Sequence, residues 1–374
     1  MFQNLLIIEL ASVLAGPSVG MFFAELGARV LKIENPSTKG DVTRSWKLAS
    51  EPAETDISSY FSSVNWGKES VALDLENKCD YAILLKMIAQ ADIIIASYKP
   101  GDAEKLHVDY NTLKKINPKI IYGHITGYGA ELRVGYDAII QAEAGFTFLN
   151  GEEKATKMPV ALMDVLAAHQ LKEGLLVALL KKIATGEGSY VGVSLIQSGI
   201  ASLVNQAANW LVGKEIPQRI GSEHPNIVPY GTIFKTSDDK EIVLAVGSDA
   251  QFSKLCGVLK IEQNERFKTN SKRVKLRSEV NELLKSACKN FTREELLKEL
   301  HAKNIPAGAI HTMQEVFEMP QAKEMLVENS FLKGVRSIAF KSSIFEKEVL
   351  KRPPHFDEHG AEIRAEFDSN NKDR

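Results

Sequence analysis

Few residues in this chain combine a reactive side chain with a place that could make it react. Asp164 follows Met158-Pro159-Val160-Ala161-Leu162-Met163 and stands just before a long stretch of helical periodicity. An aspartate there is ordinarily an N-cap, accepting a backbone N–H from the first turn. The helix dipole and the same amides would hold it ionised, and an ionised carboxylate can act as a nucleophile, so the two roles are compatible. Asp137, in Gly135-Tyr136-Asp137, precedes the apolar segment 138–144 and reads first as a simple cap. The turn Ala15-Gly16-Pro17-Ser18-Val19-Gly20 sits where a nucleotide-binding fold brings phosphate to a helix N-terminus, and Glu34 lies 18 residues after Gly16. The Gly-x-Gly-x-x-Gly pattern is absent, however, and Pro17 removes one cradling amide, so a tight strand–helix turn is expected rather than a nicotinamide site. His107, His124, His169 and His224 show no ligand spacing and read as surface or internally satisfied histidines. The six basic residues of Arg266–Arg277, with no acid among them, read as a solvated helix face.

Elements that could position these groups alternate along the first half of the chain. Leu5–Glu9, Val30–Glu34, Ser70–Leu75, Asp92–Ala96, Lys119–His124 and Val191–Leu195 read as strands. Val19–Leu26, Tyr81–Ala91 and 165–184 read as helices. Apolar strands interleaved with helices predict an α/β fold with a parallel sheet covered on both faces. Pro217–Gly231, rich in Pro, Gly and polar residues, reads as a linker into a smaller α+β unit. That unit opens with a hairpin, Gly231–Lys235 and Glu241–Val246, followed by helices at 249–260, 272–289 and 292–303. Ile305-Pro306 breaks the run, 312–328 reads as helical, and the charged tail 361–374 is expected to fray. The expected division is 1–215, 216–312 and 313–374, the last segment returning to the large domain.

Composition narrows the function classes. The chain has 374 residues, 44% hydrophobic and 25% charged, as in ordinary soluble globular proteins. Its 46 Lys+Arg against 48 Asp+Glu leave a net charge of −2, which argues against a nucleic-acid binder. No apolar stretch reaches the ~18 residues that span a bilayer. Leu5–Leu14 is interrupted by Glu9 and lacks a basic lead, so it does not read as a signal peptide. Cys79, Cys256 and Cys288 fit neither a metal site nor a disulfide framework, which suits a reducing cytoplasm.

In combination the segments resemble the class III CoA-transferases, the family of formyl-CoA transferase and carnitine CoA-transferase, from about Leu5 to about His359. The resemblance rests on ordered blocks: Ala15-Gly16-Pro17; Leu26-Gly27-Ala28-Arg29-Val30-Leu31-Lys32-Ile33-Glu34; Gly40-Asp41-Val42-Thr43-Arg44; Asn65-Trp66-Gly67-Lys68-Glu69-Ser70; Leu73-Asp74-Leu75; Lys99-Pro100-Gly101; Thr126-Gly127-Tyr128-Gly129; Gly135-Tyr136-Asp137; Asp164; Thr185-Gly186-Glu187-Gly188; and Ile305-Pro306-Ala307-Gly308. It implies the family fold, with an interlocked homodimer. It also implies transfer of CoA from an acyl-CoA donor to a carboxylic acid acceptor through aspartyl anhydride and aspartyl-CoA thioester intermediates on Asp164. By position, Val13, Leu14 and Ala15 match the loop around the CoA thiol end. Asn35, Leu73, Asp74, Ser97, Tyr98, Lys99 and Lys105 match positions lining the nucleotide and pantetheine, and Tyr136 and Asp137 match substrate-contacting positions. CoA and acyl-CoA would be substrates, with no tightly bound cofactor, metal, nucleic acid or membrane involved.

Departures from the pattern refine the expectation. Leu14 replaces a glutamine of formyl-CoA transferases, Asn35 replaces a basic residue, and Ala168 replaces the usual glycine. The run of glycines that would cover the site is missing between Ser222 and Asp249. Formyl-CoA and oxalate are therefore poor guesses for the substrates. The same fold includes α-methylacyl-CoA racemases, whose Gly-His-Asp falls on Gly135-Tyr136-Asp137. A phenol, with an ordinary pKa near 10, is a poor base at neutral pH, so Tyr136 favours transfer over racemisation. A CoA-binding homologue without turnover is the remaining alternative, and Asp164 argues against it.

Overall fold

Leu6–Leu10 (β1), Arg29–Glu34 (β2), Glu69–Ala72 (β3), Ile93–Ala96 (β4), Ile121–Thr126 (β5) and Ser189–Ser194 (β6) form one six-stranded sheet in the order β3-β2-β1-β4-β5-β6, every pairing parallel. The computed structural model describes residues 2–329, 331–346 and 348–368. Alternate residues of each strand face opposite layers. Ile8, Leu10, Leu31, Ile33, Val71 and Ile94 pack with Ile83, Leu84, Met87 and Ile88 of the helix Lys78–Gln90. Helices Ala15–Glu25 and Leu162–Thr185 (the long helix) pack against each other and against the sheet. The expected α/β class with a helix-flanked parallel sheet is observed.

The first helix begins at Ala15, earlier than the expected Val19, because Pro17 in its opening turn replaces an amide that has no helical acceptor anyway. The long helix ends at Gly186, left-handed at φ 72, where a residue without Cβ is favoured. The tail departs from the expected fraying: Gly360–Asp368 is helical, with Ile363 and Phe367, four residues apart, buried against the sheet layer and Arg364 paired with Asp80. Residues 369–374 lie outside the described residues.

The chain divides into two compact units. The first takes the chain up to Ala144, Met158–Val204 and everything from Lys323 onward; the second takes Gly145–Lys157 and Asn205–Ala322. Residues 205–215 and 313–322 thus go with the second unit, beside expected divisions at 215/216 and 312/313. The second unit contains Tyr230–Lys235 (β7), Glu241–Ala245 (β8) and Ala307–Ala309 (β9), an antiparallel sheet ordered β7-β8-β9. The third strand, after Pro306, was not anticipated; short and small-residued, it carries no alternating signal.

Two further expectations are corrected. The stretch 312–328 is not one helix: Met313–Glu318 and Pro320–Lys323 are separate, and Leu326–Glu328 pairs as a strand with Lys333–Val335, since Pro320 interrupts the helical ladder. The basic run is not a uniformly solvated face. Arg273 is fully buried, donating to Val228 O at 2.8 Å and Phe267 O at 2.9 Å and pairing with Asp249, while Arg277 pairs with Glu223.

Candidate active site

Strand order reverses between β1 and β4, and an open parallel sheet binds ligands in the crevice beyond the strand ends at such a point. The residues that leave these two strands there, Ser12 after β1 and Ser97 and Tyr98 after β4, line two adjoining clefts. The larger, about 980 Å³, is walled by Asn35, Thr38, Lys39, Asp41 and Arg44. The smaller, about 390 Å³, is walled by Val13, Leu14, Ala15, Lys99, Arg133, Tyr136 and Asp164. The first turn of the helix Ala15–Glu25 has no side-chain cap, so its leading amides retain capacity for an oxygen ligand.

Asp164 is not the N-cap expected of it. The long helix starts at Leu162 after Ala161, which makes Asp164 its third residue, within the first turn. The cap comes from Asp137 instead: its Oδ1 accepts the Met163 N–H at 2.8 Å, and its Oδ2 accepts from Gln141 at 2.8 Å. Asp137 is therefore a cap as anticipated, but of a helix 26 residues further on. Asp164 is 9% exposed. Burial first, and the Asp137 charge second, push its carboxyl from the ordinary 3.8 up to about 7. Dipole and amides were expected to hold it ionised; burial, with no donor among the described residues on its oxygens, pulls the other way. Among the described residues its carboxylate makes no hydrogen bond or ion pair.

The structure brings most of the sequence-selected residues to these clefts. Asp164, Val13, Leu14, Ala15, Ser97, Tyr98, Lys99 and Tyr136 share the smaller one, and Asn35, Ser97 and Tyr98 the larger. Asn35 caps the short helix Pro36–Thr38 by accepting from Ser37 N at 2.8 Å. Leu73 lies in the hydrophobic core, Asp74 accepts from Glu76 N, and Lys105 pairs with Asp102 at 3.1 Å; none of these three lines either cleft. Glu34 is engaged by Arg44, at 2.6 Å and 2.9 Å, and by Ser70 at 2.6 Å, so its carboxylate is occupied internally. His124 is satisfied by Tyr98 O and the Tyr190 hydroxyl.

Four neighbours of the site were not singled out from sequence. Lys39 lines the larger cleft and makes no ion pair among the described residues. Arg133 lines the smaller one, stacked 3.8 Å over the Tyr128 ring and paired with Glu143 at 2.5 Å. The Tyr60 hydroxyl is pushed up to about 12 by burial and then by the charges of Asp164, Asp137 and Asp41, which places it in the field of these carboxylates. Asp41 is buried, and Lys32 and Thr43 hold its carboxyl below its usual range despite that burial. Only Asp41 had a signal, as part of the block Gly40-Asp41-Val42-Thr43-Arg44.

A parallel sheet with its cleft at the switch point, and a buried carboxylate in the wall of that cleft, marks an α/β protein with a ligand site at its strand ends, and comparison with known proteins supplies the family. The profile of CoA-transferase family III matches residues 2–360. The succinate–glutarate CoA-transferase of Agrobacterium fabrum is 34% identical over 384 residues, covering 97% of this chain and 94% of that one. The human succinyl-CoA:glutarate CoA-transferase is 31% identical over 379 residues, covering 97% and 85%. A CaiB/BaiF family protein from Brucella suis superposes with a TM-score of 0.86 at 36% identity, covering 97% and 98%. The chain belongs to CoA-transferase family III and is a CoA-transferase. No helix among the described residues is long and apolar enough to cross a membrane.

Proposed function

We propose that the chain exchanges CoA between dicarboxylic acids, with Asp164 as the covalent nucleophile. The observation that carries this reading is Asp164 itself: a buried carboxylate in the wall of the smaller cleft, without a partner among the described residues. Its oxygen attacks the thioester carbon, the C–S bond breaks, and an aspartyl–acyl anhydride and CoA thiolate result. The thiolate attacks the Asp164 carbonyl carbon, releasing the first acid as its carboxylate and leaving an aspartyl-CoA thioester. The acceptor carboxylate opens that thioester to a second anhydride and thiolate. Attack by the thiolate on the acceptor's acyl carbon then forms the new thioester and restores Asp164. No net proton is consumed, and only a carboxylate side chain supplies both intermediates.

Relatives named for succinate and glutarate support dicarboxylates as the acids, and Arg133 is the cation on the Asp164 cleft that we assign to the far carboxylate. Lys39 and Lys99, exposed on the two clefts, are assigned to the CoA phosphates. The leading amides of the helix Ala15–Glu25 are assigned to the oxyanions. A homodimer is part of the proposal: the long helix leaves Val177, Leu180 and Ile183 exposed by 66%, 68% and 81%, a face suited to a second copy. A folded monomer at low concentration in equilibrium sedimentation would refute it. A cytoplasmic location is proposed from three free cysteines.

Hydroxylamine tests the intermediate. With donor acyl-CoA alone, it should convert one carboxylate per active site to a hydroxamate in the peptide Met158–Lys172. Labelling elsewhere, or none, overturns the assignment.

A further inference from the structure

Beneath the helix Ala15–Glu25, the sheet face opposite the main core carries buried charge. Glu9, Lys32 and Ser70 lie side by side on β1, β2 and β3. Lys32 Nζ pairs with Glu9 and with Asp41, each at 3.0 Å, and Lys68 Nζ pairs with Glu9 at 2.7 Å; all four side chains are at most 1% exposed. Each member that reaches the 11–17 segment holds a backbone atom of it. Lys32 donates to Ala11 O at 2.9 Å, Asp41 accepts the Val13 N–H at 3.2 Å, and Lys68 donates to Pro17 O at 2.8 Å. Gly20 makes room, since a Cβ there would meet Glu9 Oε2. Between these tethers Val13 stands at φ 70, left-handed, which a β-branched residue rarely adopts unless its surroundings impose it. Val13, Leu14 and Ala15 share the smaller cleft with Asp164.

We propose that Asp41 is a positioning residue for the reaction at Asp164: it holds Val13 in its left-handed conformation and so fixes the 12–15 loop against the nucleophile. Aliphatic residues would fill this layer without the desolvation that buried ions suffer. What the ions add is a fixed grip on three main-chain atoms. Both Asp41 oxygens are engaged, Oδ1 by Thr43 N at 3.0 Å and Thr43 Oγ1 at 2.8 Å, and Oδ2 by Lys32 at 3.0 Å. Asparagine keeps the shape, but its Nδ2 must then face a donor. Without Asp41, Val13 relaxes to negative φ and carries Leu14 and Ala15 away from the reacting carbonyl.

The proposal rests on Asp164 being the nucleophile, and the test separates the two. In Asp41→Asn, hydrogen–deuterium exchange should rise in peptides spanning 10–18 and stay unchanged in the second unit, a readout that needs no turnover. Its kcat should fall by at least about tenfold while KM for acyl-CoA changes by less than about threefold, because positioning acts on the transition state. Glycine adopts positive φ without penalty, so Val13→Gly added to Asp41→Ala should raise kcat at least about fivefold over Asp41→Ala alone. A residue that merely supported the fold would show no such recovery. Should Asp41→Ala not fold, Asp41→Asn carries the test. Unchanged loop exchange, unchanged kcat, a loss confined to KM, or no recovery in the double variant overturns the proposal. Normal turnover in Asp164→Asn overturns the reading of the site and this proposal with it.

Discussion

Asp164→Asn should abolish turnover and at the same time stabilise the free protein, by an amount that depends on pH. The carboxyl sits at about 7 in the folded chain against 3.8 ordinarily, through burial and then Asp137. The folded state therefore binds this proton more tightly than the unfolded state. Below the unfolded value both states are protonated and the site costs nothing. As pH rises toward the folded value, only the unfolded chain ionises and stability is lost; above about pH 7 the loss is constant. The gap between 3.8 and about 7 corresponds to about 4 kcal/mol at ~1.4 kcal/mol per unit. Asparagine removes the ionisation, and it forfeits no partner because the carboxylate has none among the described residues. The stability of the variant minus wild type should thus climb from near zero at about pH 4 toward about 4 kcal/mol at about pH 8. At ~2–4 °C per kcal/mol that is an upward Tm shift on the order of 10 °C. Thermal unfolding without CoA, scanned across that pH range beside a CoA-exchange assay, reads both effects. A variant no more stable than wild type at about pH 8, or a difference flat with pH, refutes the buried, unpartnered carboxylate; near-normal exchange refutes the nucleophile. The same ionisation gives wild-type kcat/KM an acid limb falling below about pH 7, since only the carboxylate attacks.

The remaining expectations concern the cleft walls. Arg133→Ala should raise KM for a dicarboxylate acceptor by about 10-fold or more while leaving a monocarboxylate of equal length nearly unaffected; equal effects on both refute its assignment to the far carboxylate. Lys39→Ala should weaken CoA binding, with a penalty that shrinks as salt rises, whereas Lys105→Ala should change little, since Lys105 is already paired with Asp102 and lines neither cleft; titration calorimetry at two salt concentrations separates them. With a 2-methylacyl-CoA in deuterium oxide, no appreciable α-proton exchange is expected, because Tyr136 stands where a racemase carries histidine; rapid wash-in of deuterium would reverse the choice of reaction class.

The strands were legible because buried parallel strands are short runs of Ile, Val and Leu, and the Asp164 helix because its apolar spacing is long. Reading failed where a residue's environment is made by distant chain. Glu9 and Lys32 each look like a polar interruption of an apolar strand, yet parallel registration sets them side by side and burial makes them a pair. Arg273 sits in a basic run and is nonetheless buried, because Val228, Phe267 and Asp249 converge on it. Lys105 was matched to the nucleotide by its resemblance to a family position; the fold places it at the end of the short helix Asp102–Lys105, paired with Asp102. Ile363 and Phe367 were lost in a charged tail, although their four-residue spacing is that of a helix with one apolar stripe.

The larger error concerned what keeps Asp164 ready to react. From sequence, the helix N-terminus alone was available, and a dipole near a carboxylate argues for easy ionisation. The fold gives the capping contact to Asp137 and leaves Asp164 as the third residue of the helix, buried and, among the described residues, without a donor, where the ion is disfavoured. Such a carboxylate is a stronger base and a less solvated nucleophile than an N-cap would be. In both the anhydride and the aspartyl-CoA thioester the side chain is neutral, so the charge that burial opposes leaves Asp164 for the thiolate or the departing acid. The destabilisation of about 4 kcal/mol is thereby relieved on the way to each intermediate, an upper bound of about a thousandfold in rate. A carboxylate gripped by capping amides would have to break those bonds first. The same burial that makes Asp164 a poor resident of the folded protein therefore makes it a good covalent relay.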